Sequence, residues 1–344
     1  MSFRGWFLAA GCLAIGALSG CAPDAGSAGV PAPAPSQAGA KPASKRLKLG
    51  MIPKLIGIPY FNACRRGAEE AARELNVDLD YNGPDTADAV RQSEIVNSWI
   101  LLGYDAIAAA PNNPEAIAPV LKKARERGIR VLTWDTDSAP EAREVFCNQA
   151  ESAAIARTLV DLMAAELGGA GRVALVSGTE TASNQNTWMR LMREYTAEKY
   201  PKLVYVDPVE YPGEDDARAY QSAQGLLRRP EPPAGIFGMT SVAAPAVAKA
   251  VFDARMAGKV AVTGLAAPSG MRTQVKNGAV KKFALWDPSA LGYLTVYTAV
   301  RLVEGKLTGE VDAGKLGKLK VKDGQIVLGP PLVFDAANID TYDF

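Results

Sequence analysis

The chain of 344 residues contains no histidine, and that absence removes several chemistries together. A Ser-His-Asp triad, a histidine-activated cysteine and a histidine-containing zinc site all need an imidazole. No Walker A, Gly-x-Ser-x-Gly or Gly-x-Gly-x-x-Gly stretch is present either, so the phosphate cradles and nucleophile elbows that these motifs build are missing as well. Excess charge of either sign is also lacking. Lys and Arg total 38 against 37 Asp and Glu, and no basic tract stands out, so a nucleic-acid partner has no electrostatic footprint to follow. No metal and no cofactor are expected. Carboxylate pairs of the kind glycosidases use remain open in principle.

Cysteine is scarce, and its placing is informative. Of the four cysteines, Cys12 and Cys21 fall at the start and Cys64 and Cys147 far apart within the body; the latter two read as buried thiols. Arg4 precedes the apolar run Trp6 to Leu18, too short to span a bilayer, and Leu18-Ser19-Gly20-Cys21 closes it. This is the layout of an export signal. Its end resembles the lipobox of bacterial lipoproteins, which implies removal of residues 1–20 and lipid on Cys21. The protein is then expected outside the cytoplasm, in the periplasm or at the cell surface, held to the membrane by the lipid anchor only. Residues 21–45 are Ala, Pro, Gly and Ser with almost nothing to bury, a composition that suits an extended, disordered spacer.

From Arg46 onward, short apolar runs alternate with amphipathic helical stretches, the pattern of parallel sheets covered on both faces. Strands are expected at Leu47 to Ile52, Val77 to Asp80, Ala106 to Ala109, Arg130 to Thr133 and Val145 to Cys147, and again from Val173 to Trp286. Asn113-Pro114 reads as a cap and first-turn proline. About 300 residues suggest two lobes, and in doubly wound sheets ligands bind outside the carboxyl ends of the strands. The residues there include Lys54, Tyr60, Phe61, Trp134, Asp135, Asp137, Asn184, Gln185, Trp188, Met239, Ser241, Trp286 and Asp287. Rings, amides and a few carboxylates suit a neutral polyhydroxylated molecule. An aromatic face covers the C–H side of a sugar while carboxylates and amides pair with its hydroxyls. Trp134 and Trp286 also fit strand-end core positions, and Asp137 a turn cap.

Ile52-Pro53-Lys54-Leu55 with Tyr60-Phe61, Val131 through Asp137, Asn184-Gln185-Asn186-Thr187-Trp188, Leu285-Trp286-Asp287 and Tyr342-Asp343-Phe344 together resemble the autoinducer-2-binding and rhamnose-binding proteins of bacterial ABC importers. The resemblance implies an α/β type I periplasmic-binding-protein fold, with two doubly wound parallel-sheet lobes joined by three crossover segments. Residues 46–137 plus 288–306 would form the first lobe and 138–287 plus 307–344 the second. The autoinducer-2 binders' Lys and first Asp are kept as Lys54 and Asp135. Their Asp-Gln pair reads Asn184-Gln185 here, and their Pro and Ala fall on Met239 and Ser241. The altered hydrogen-bond pattern points to a monosaccharide or related polyol rather than autoinducer-2, captured by hinge closure and passed to ABC permease subunits by a monomeric, non-enzymatic protein. Autoinducer-2 binding, sugar sensing for a membrane receptor, and a carbohydrate-active enzyme using Asp135 and Asp287 are the alternatives.

Overall fold

The computed structural model describes residues 46–344; the signal segment, Cys21 and the spacer to residue 45 lie outside the described residues. The first half alternates strand and helix in the expected order. Strand β1 (Lys48–Ile52), helix α1 (Pro59–Glu74), β2 (Asp78–Tyr81), α2 (Ala89–Leu101), β3 (Ala106–Ala109), α3 (Pro114–Glu126), β4 (Arg130–Trp134) and β5 (Val145–Asn148) come first. Then follow α4 (Ser152–Leu167), β6 (Ala170–Val176), α5 (Ser183–Lys199), β7 (Lys202–Glu210), α6 (Asp216–Leu227), β8 (Gly235–Gly238), α7 (Ala243–Asp253) and β9 (Ala261–Gly264). The chain ends with α8 (Pro268–Lys276), β10 (Lys282–Leu285), α9 (Pro288–Val303), β11 (Glu310–Asp312), β12 (Lys318–Lys322), β13 (Gln325–Val327) and β14 (Leu332–Asp335).

Two larger sheets and one antiparallel pair carry these elements. The first runs β11-β12-β13-β5-β4-β3-β1-β2, with β2, β1, β3, β4, β5 and β13 mutually parallel. The second runs β7-β6-β8-β9, all parallel. A bridge from Leu265 to Ala284 brings β10 alongside β9, and β14 pairs antiparallel to β10. Central strands buried on both faces need continuous apolar runs, and Ala106–Ala109 and Gly235–Gly238 are buried at every position.

Helix starts follow local chemistry. Asn113 accepts from the Glu115 and Ala116 amides ahead of α3, and Asp88 accepts from Val90 and Arg91 ahead of α2; both satisfy donors that the first turn leaves unpaired.

The chain crosses between the lobes three times, at residues 149–151, 286–287 and 328–331. The observed sheets correct the expected boundaries. Val145–Asn148, placed in the second lobe by a division at residue 137, pairs with β4 in the first sheet. Most of residues 307–344 follow it there, because β13 pairs with β5 and brings β12 and β11 with it. Only β14 and the end of the chain return to the second lobe, where the Phe344 carbonyl accepts from Ser269 N.

In the first lobe α1 packs closely on α9, because glycines sit at the crossing. A Cβ on Gly67 would overlap the Ser289 carbonyl, and one on Gly292 the Cys64 carbonyl. Gly292→Ala is therefore expected to cost about 1–3 kcal/mol, the usual penalty for overfilling a packed core. It should appear as a lower urea midpoint at unchanged slope. Cys64 and Cys147 are both free and fully buried, as expected of small apolar residues in a core.

Candidate functional site: a cleft between the two sheets

The carboxyl ends of both parallel sheets face one cavity of about 40 Å3. Lys54, in the turn after β1, is 5% exposed, so its charge must be met by neighbours rather than water. Its ammonium lies 3.0 Å from Asn184 Oδ1 and 3.8 Å from Asp135 Oδ2. Asp135 directly follows β4 with φ +60°, a left-handed conformation that Asp and Asn tolerate best among residues with side chains. Thr136 N closes back on the Trp134 carbonyl at 2.6 Å.

A relay of donors converges on that carboxylate. Trp286 Nε1 donates to the Tyr60 hydroxyl at 2.8 Å, and Tyr60 donates to Asp135 Oδ1 at 2.7 Å. Burial, reinforced by the neighbouring Asp135 charge, pushes the Tyr60 phenol well above its usual value, so it remains a donor at any physiological pH. Phe61 and Trp286 meet Tyr60 edge-on at 5.0 and 6.1 Å between ring centroids, and Trp188 packs on Trp286 at 5.7 Å. Together they make an aromatic wall.

The second lobe supplies the opposing polar surface. Ser177 Oγ and Gly178 N both donate to Gln185 Oε1, at 3.0 and 3.1 Å. Those bonds orient the amide so that its Nε2 faces Glu214 Oε1 at 3.2 Å. Asn184 spans the cleft, accepting from Lys54 while its Nδ2 donates to the Asp135 carbonyl at 3.3 Å. Thr181 Oγ1 donates to the Asn112 carbonyl at 3.0 Å and makes a second direct link between the lobes.

Of the expected site residues, Lys54, Tyr60, Phe61, Asp135, Asn184, Gln185, Met239, Ser241 and Trp286 all line the cavity. Asp287 does not. Its Oδ1 accepts from the Ser289 and Ala290 amides and caps α9, so it is spent on the helix start, and the Asp135–Asp287 pair that an enzyme would require is absent from the cavity. Trp134 proves to be core, 0% exposed against Phe61 and Tyr81. Asp137 pairs with Arg143 at 2.6 Å and with Ser138 N, a structural turn.

Glu214 was missed by the sequence reading, yet it lines the cavity. It follows β7 in the stretch Tyr211-Pro-Gly-Glu-Asp-Asp216, beyond the carboxyl end of a parallel strand, as Lys54 and Asp135 do. Desolvation raises its carboxyl, opposed by Lys54 and by bonds from Gln185 and Thr240. A carboxyl whose native pKa exceeds its unfolded value adds stability below the unfolded value and loses it as pH climbs through the native one. Without ligand, Glu214→Gln is thus expected to unfold less readily than the wild type above the ordinary carboxylate range. The two should converge towards acid, as melting curves across pH would record.

Comparison with known proteins places this geometry in a family. Residues 49–307 match the model of the periplasmic binding protein domain. A sugar ABC transporter structure from Actinomyces odontolyticus is 37% identical, with TM-score 0.71, covering 87% of this chain and 98% of that one. A solute-binding protein from Clostridium phytofermentas, solved with L-rhamnose bound, is 31% identical with TM-score 0.82 over 87% and 98% of the two chains. The D-ribose/D-allose-binding protein of Pseudomonas aeruginosa is 26% identical over 268 residues, 75% of this chain and 83% of that protein. These relatives are binding proteins rather than enzymes. Two parallel-sheet lobes, three crossovers and a polar-aromatic cleft between them are what a member of this group requires, and the chain belongs to the periplasmic binding protein family.

Proposed function

We propose that this protein is the extracytoplasmic solute-binding component of an ABC importer, capturing a monosaccharide or related polyol in the cleft and presenting the closed form to the permease subunits. The observation that carries the reading is the Lys54–Asp135–Tyr60 cluster facing Gln185 and Glu214 across an aromatic wall. Hydroxyls of a sugar donate to the carboxylates and accept from the ammonium and amide, while the ring covers Trp286 or Trp188. Relatives that bear the names of sugar-binding proteins and a structure with L-rhamnose bound support the same chemistry.

The cavity as it stands holds only a few waters at about 10–15 Å3 each. It opens onto a larger vestibule of about 1160 Å3 between the lobes, with Ile58, Glu214 and Ser241 shared by both spaces. A sugar therefore enters through a wider state, and binding moves the open–closed equilibrium by its differential affinity for the two forms.

A thermal-shift panel of pentoses, hexoses, deoxyhexoses, polyols and autoinducer-2 tests the function. Stabilisation by one sugar in proportion to ln(1 + [L]/Kd) is expected; turnover of a sugar, or no shift with any of them, would overturn it. Lipid on Cys21 would hold the protein near its permease, and Cys21→Ser is expected to abolish palmitate labelling of the wild-type chain.

A further inference from the structure

We infer that Glu214 is a ligand-binding, specificity-determining acceptor, the second carboxylate of a two-ended clamp whose other end is Asp135. This deepens the sugar-binding reading and rests on it. Neither sheet order nor the expected site residues singled out this position; three observations do.

The loop after β7 holds Glu214 at φ +60°, a conformation unfavourable for a long side chain unless its surroundings demand it. Gly178, across the cavity edge, leaves the room that the carboxylate fills, since a Cβ there would overlap both Glu214 Oε1 and Gln185 Oε1. The donor aimed at it, Gln185 Nε2, is locked in orientation by two bonds to its own carbonyl oxygen. Backbone conformation, a missing side chain and an oriented amide together bring one carboxylate to the cavity.

The charged groups facing Glu214 are Lys54 from the turn after β1 and Asp135 after β4, with Gln185 and Thr240 as neutral partners. Asp135 already receives the Tyr60 hydroxyl and stands near Lys54, whereas Glu214 meets the neutral donors Gln185, at 3.2 Å, and Thr240. A neutral ligand that gives hydroxyl donors to both carboxylates offsets the burial of the second one. A deoxy analogue lacking the hydroxyl on the Glu214 side leaves that acceptor unpaired and is rejected.

Because the ligand donates to the ionised form, binding lowers the proton occupancy of Glu214, and affinity falls as pH drops into its raised titration range. Glu214→Gln keeps the shape and removes both the charge and this dependence. Titration calorimetry of the full-length protein with a monosaccharide panel that includes L-rhamnose, D-ribose and D-arabinose, repeated from neutral to mildly acidic pH, reads the result. The wild type is expected to bind one sugar with affinity that weakens towards acid. Glu214→Gln is expected to bind that sugar roughly 10- to 100-fold more weakly, the loss expected for one charge-assisted bond, and with a flat pH profile. Gly178→Ala, which retains the acid but displaces it, is expected to show a loss of the same order. Equal affinity and an unchanged pH profile in Glu214→Gln would overturn the role of Glu214 while leaving the sugar site standing. A wild type that binds no member of the panel would remove the sugar-binding reading itself.

Discussion

Replacing Asp135 by alanine is expected to weaken ligand binding by at least about 100-fold and to destabilise the unliganded protein by about 3–5 kcal/mol, the range for breaking a buried ion pair. The carboxylate has several simultaneous partners: Lys54 at 3.8 Å, the Tyr60 hydroxyl at 2.7 Å and Thr136 Oγ1 at 3.3 Å. Removal leaves the 5% exposed Lys54 ammonium with the neutral Asn184 oxygen as its hydrogen-bond acceptor and takes the acceptor away from the buried Tyr60 hydroxyl. It also places an alanine at φ +60°, where Ala gains nothing from the local hydrogen bonding that lets Asp occupy that region. Asp135→Asn separates the two effects. It keeps the backbone preference and most of the shape, so its stability should lie nearer the wild type while its affinity stays low. Urea unfolding and titration calorimetry on the pair of variants measure each part. Wild-type affinity in Asp135→Ala would remove the residue from the site.

Trp286→Ala is the second large effect, expected to cost about 3–5 kcal/mol as a buried aromatic truncated to a methyl group. The indole is 4% exposed, packs on Trp188 at 5.7 Å and donates to Tyr60 at 2.8 Å. It sits at the second crossover, between β10 and α9. The same side chain therefore joins the lobes, fixes the direction of the Tyr60 hydroxyl and forms part of the aromatic wall. Trp286→Phe restores most of the apolar area but leaves the hydroxyl of Tyr60 without its donor. The prediction is partial recovery of stability in urea and a persistent loss of affinity by calorimetry. Full recovery of both in Trp286→Phe would show that the indole N–H is not needed.

Much of this architecture was legible in the sequence, for identifiable reasons. Long apolar runs bounded by caps, such as Ala106–Ala109 followed by Asn113-Pro114, announce a buried parallel strand and the helix after it. The strand-end rule then gathered Lys54, Asp135, Gln185 and Trp286 into one cavity although up to 232 positions separate them. The last strands carry a local signal that says nothing of their partners. Lys318–Lys322 alternates lysine with Leu319 and Val321 ahead of Asp323-Gly324, a hairpin signature, but the long-range pairing of Gln325–Val327 with β5 has no local mark, and Glu310–Asp312 buries only one residue of three. Their sheet membership decides the lobe boundary, so that boundary was misplaced.

Asp287 and Glu214 are complementary errors. Asp287-Pro288 repeats the cap-and-proline signature of Asn113-Pro114, and its capping role was open to the same reading. Glu214 lies beyond a strand that runs on to Glu210, four residues past Val206, where the apolar stretch Leu203–Val206 stops.

The threading of the first lobe has a consequence for how the chain reaches its native state. Helix α1 packs on α9, which arrives only at residues 288–303, and the first sheet gains β13 later still. A growing chain thus carries the first strands through the whole of the second lobe before either lobe has its full complement, and β14 closes the second lobe last. Domains complete in order of synthesis only where each is contiguous; here neither is. A nascent chain halted after β10 would have parallel strands with no α9 to cover them, and should bind chaperones and be cut by proteases along its entire body rather than present one finished half.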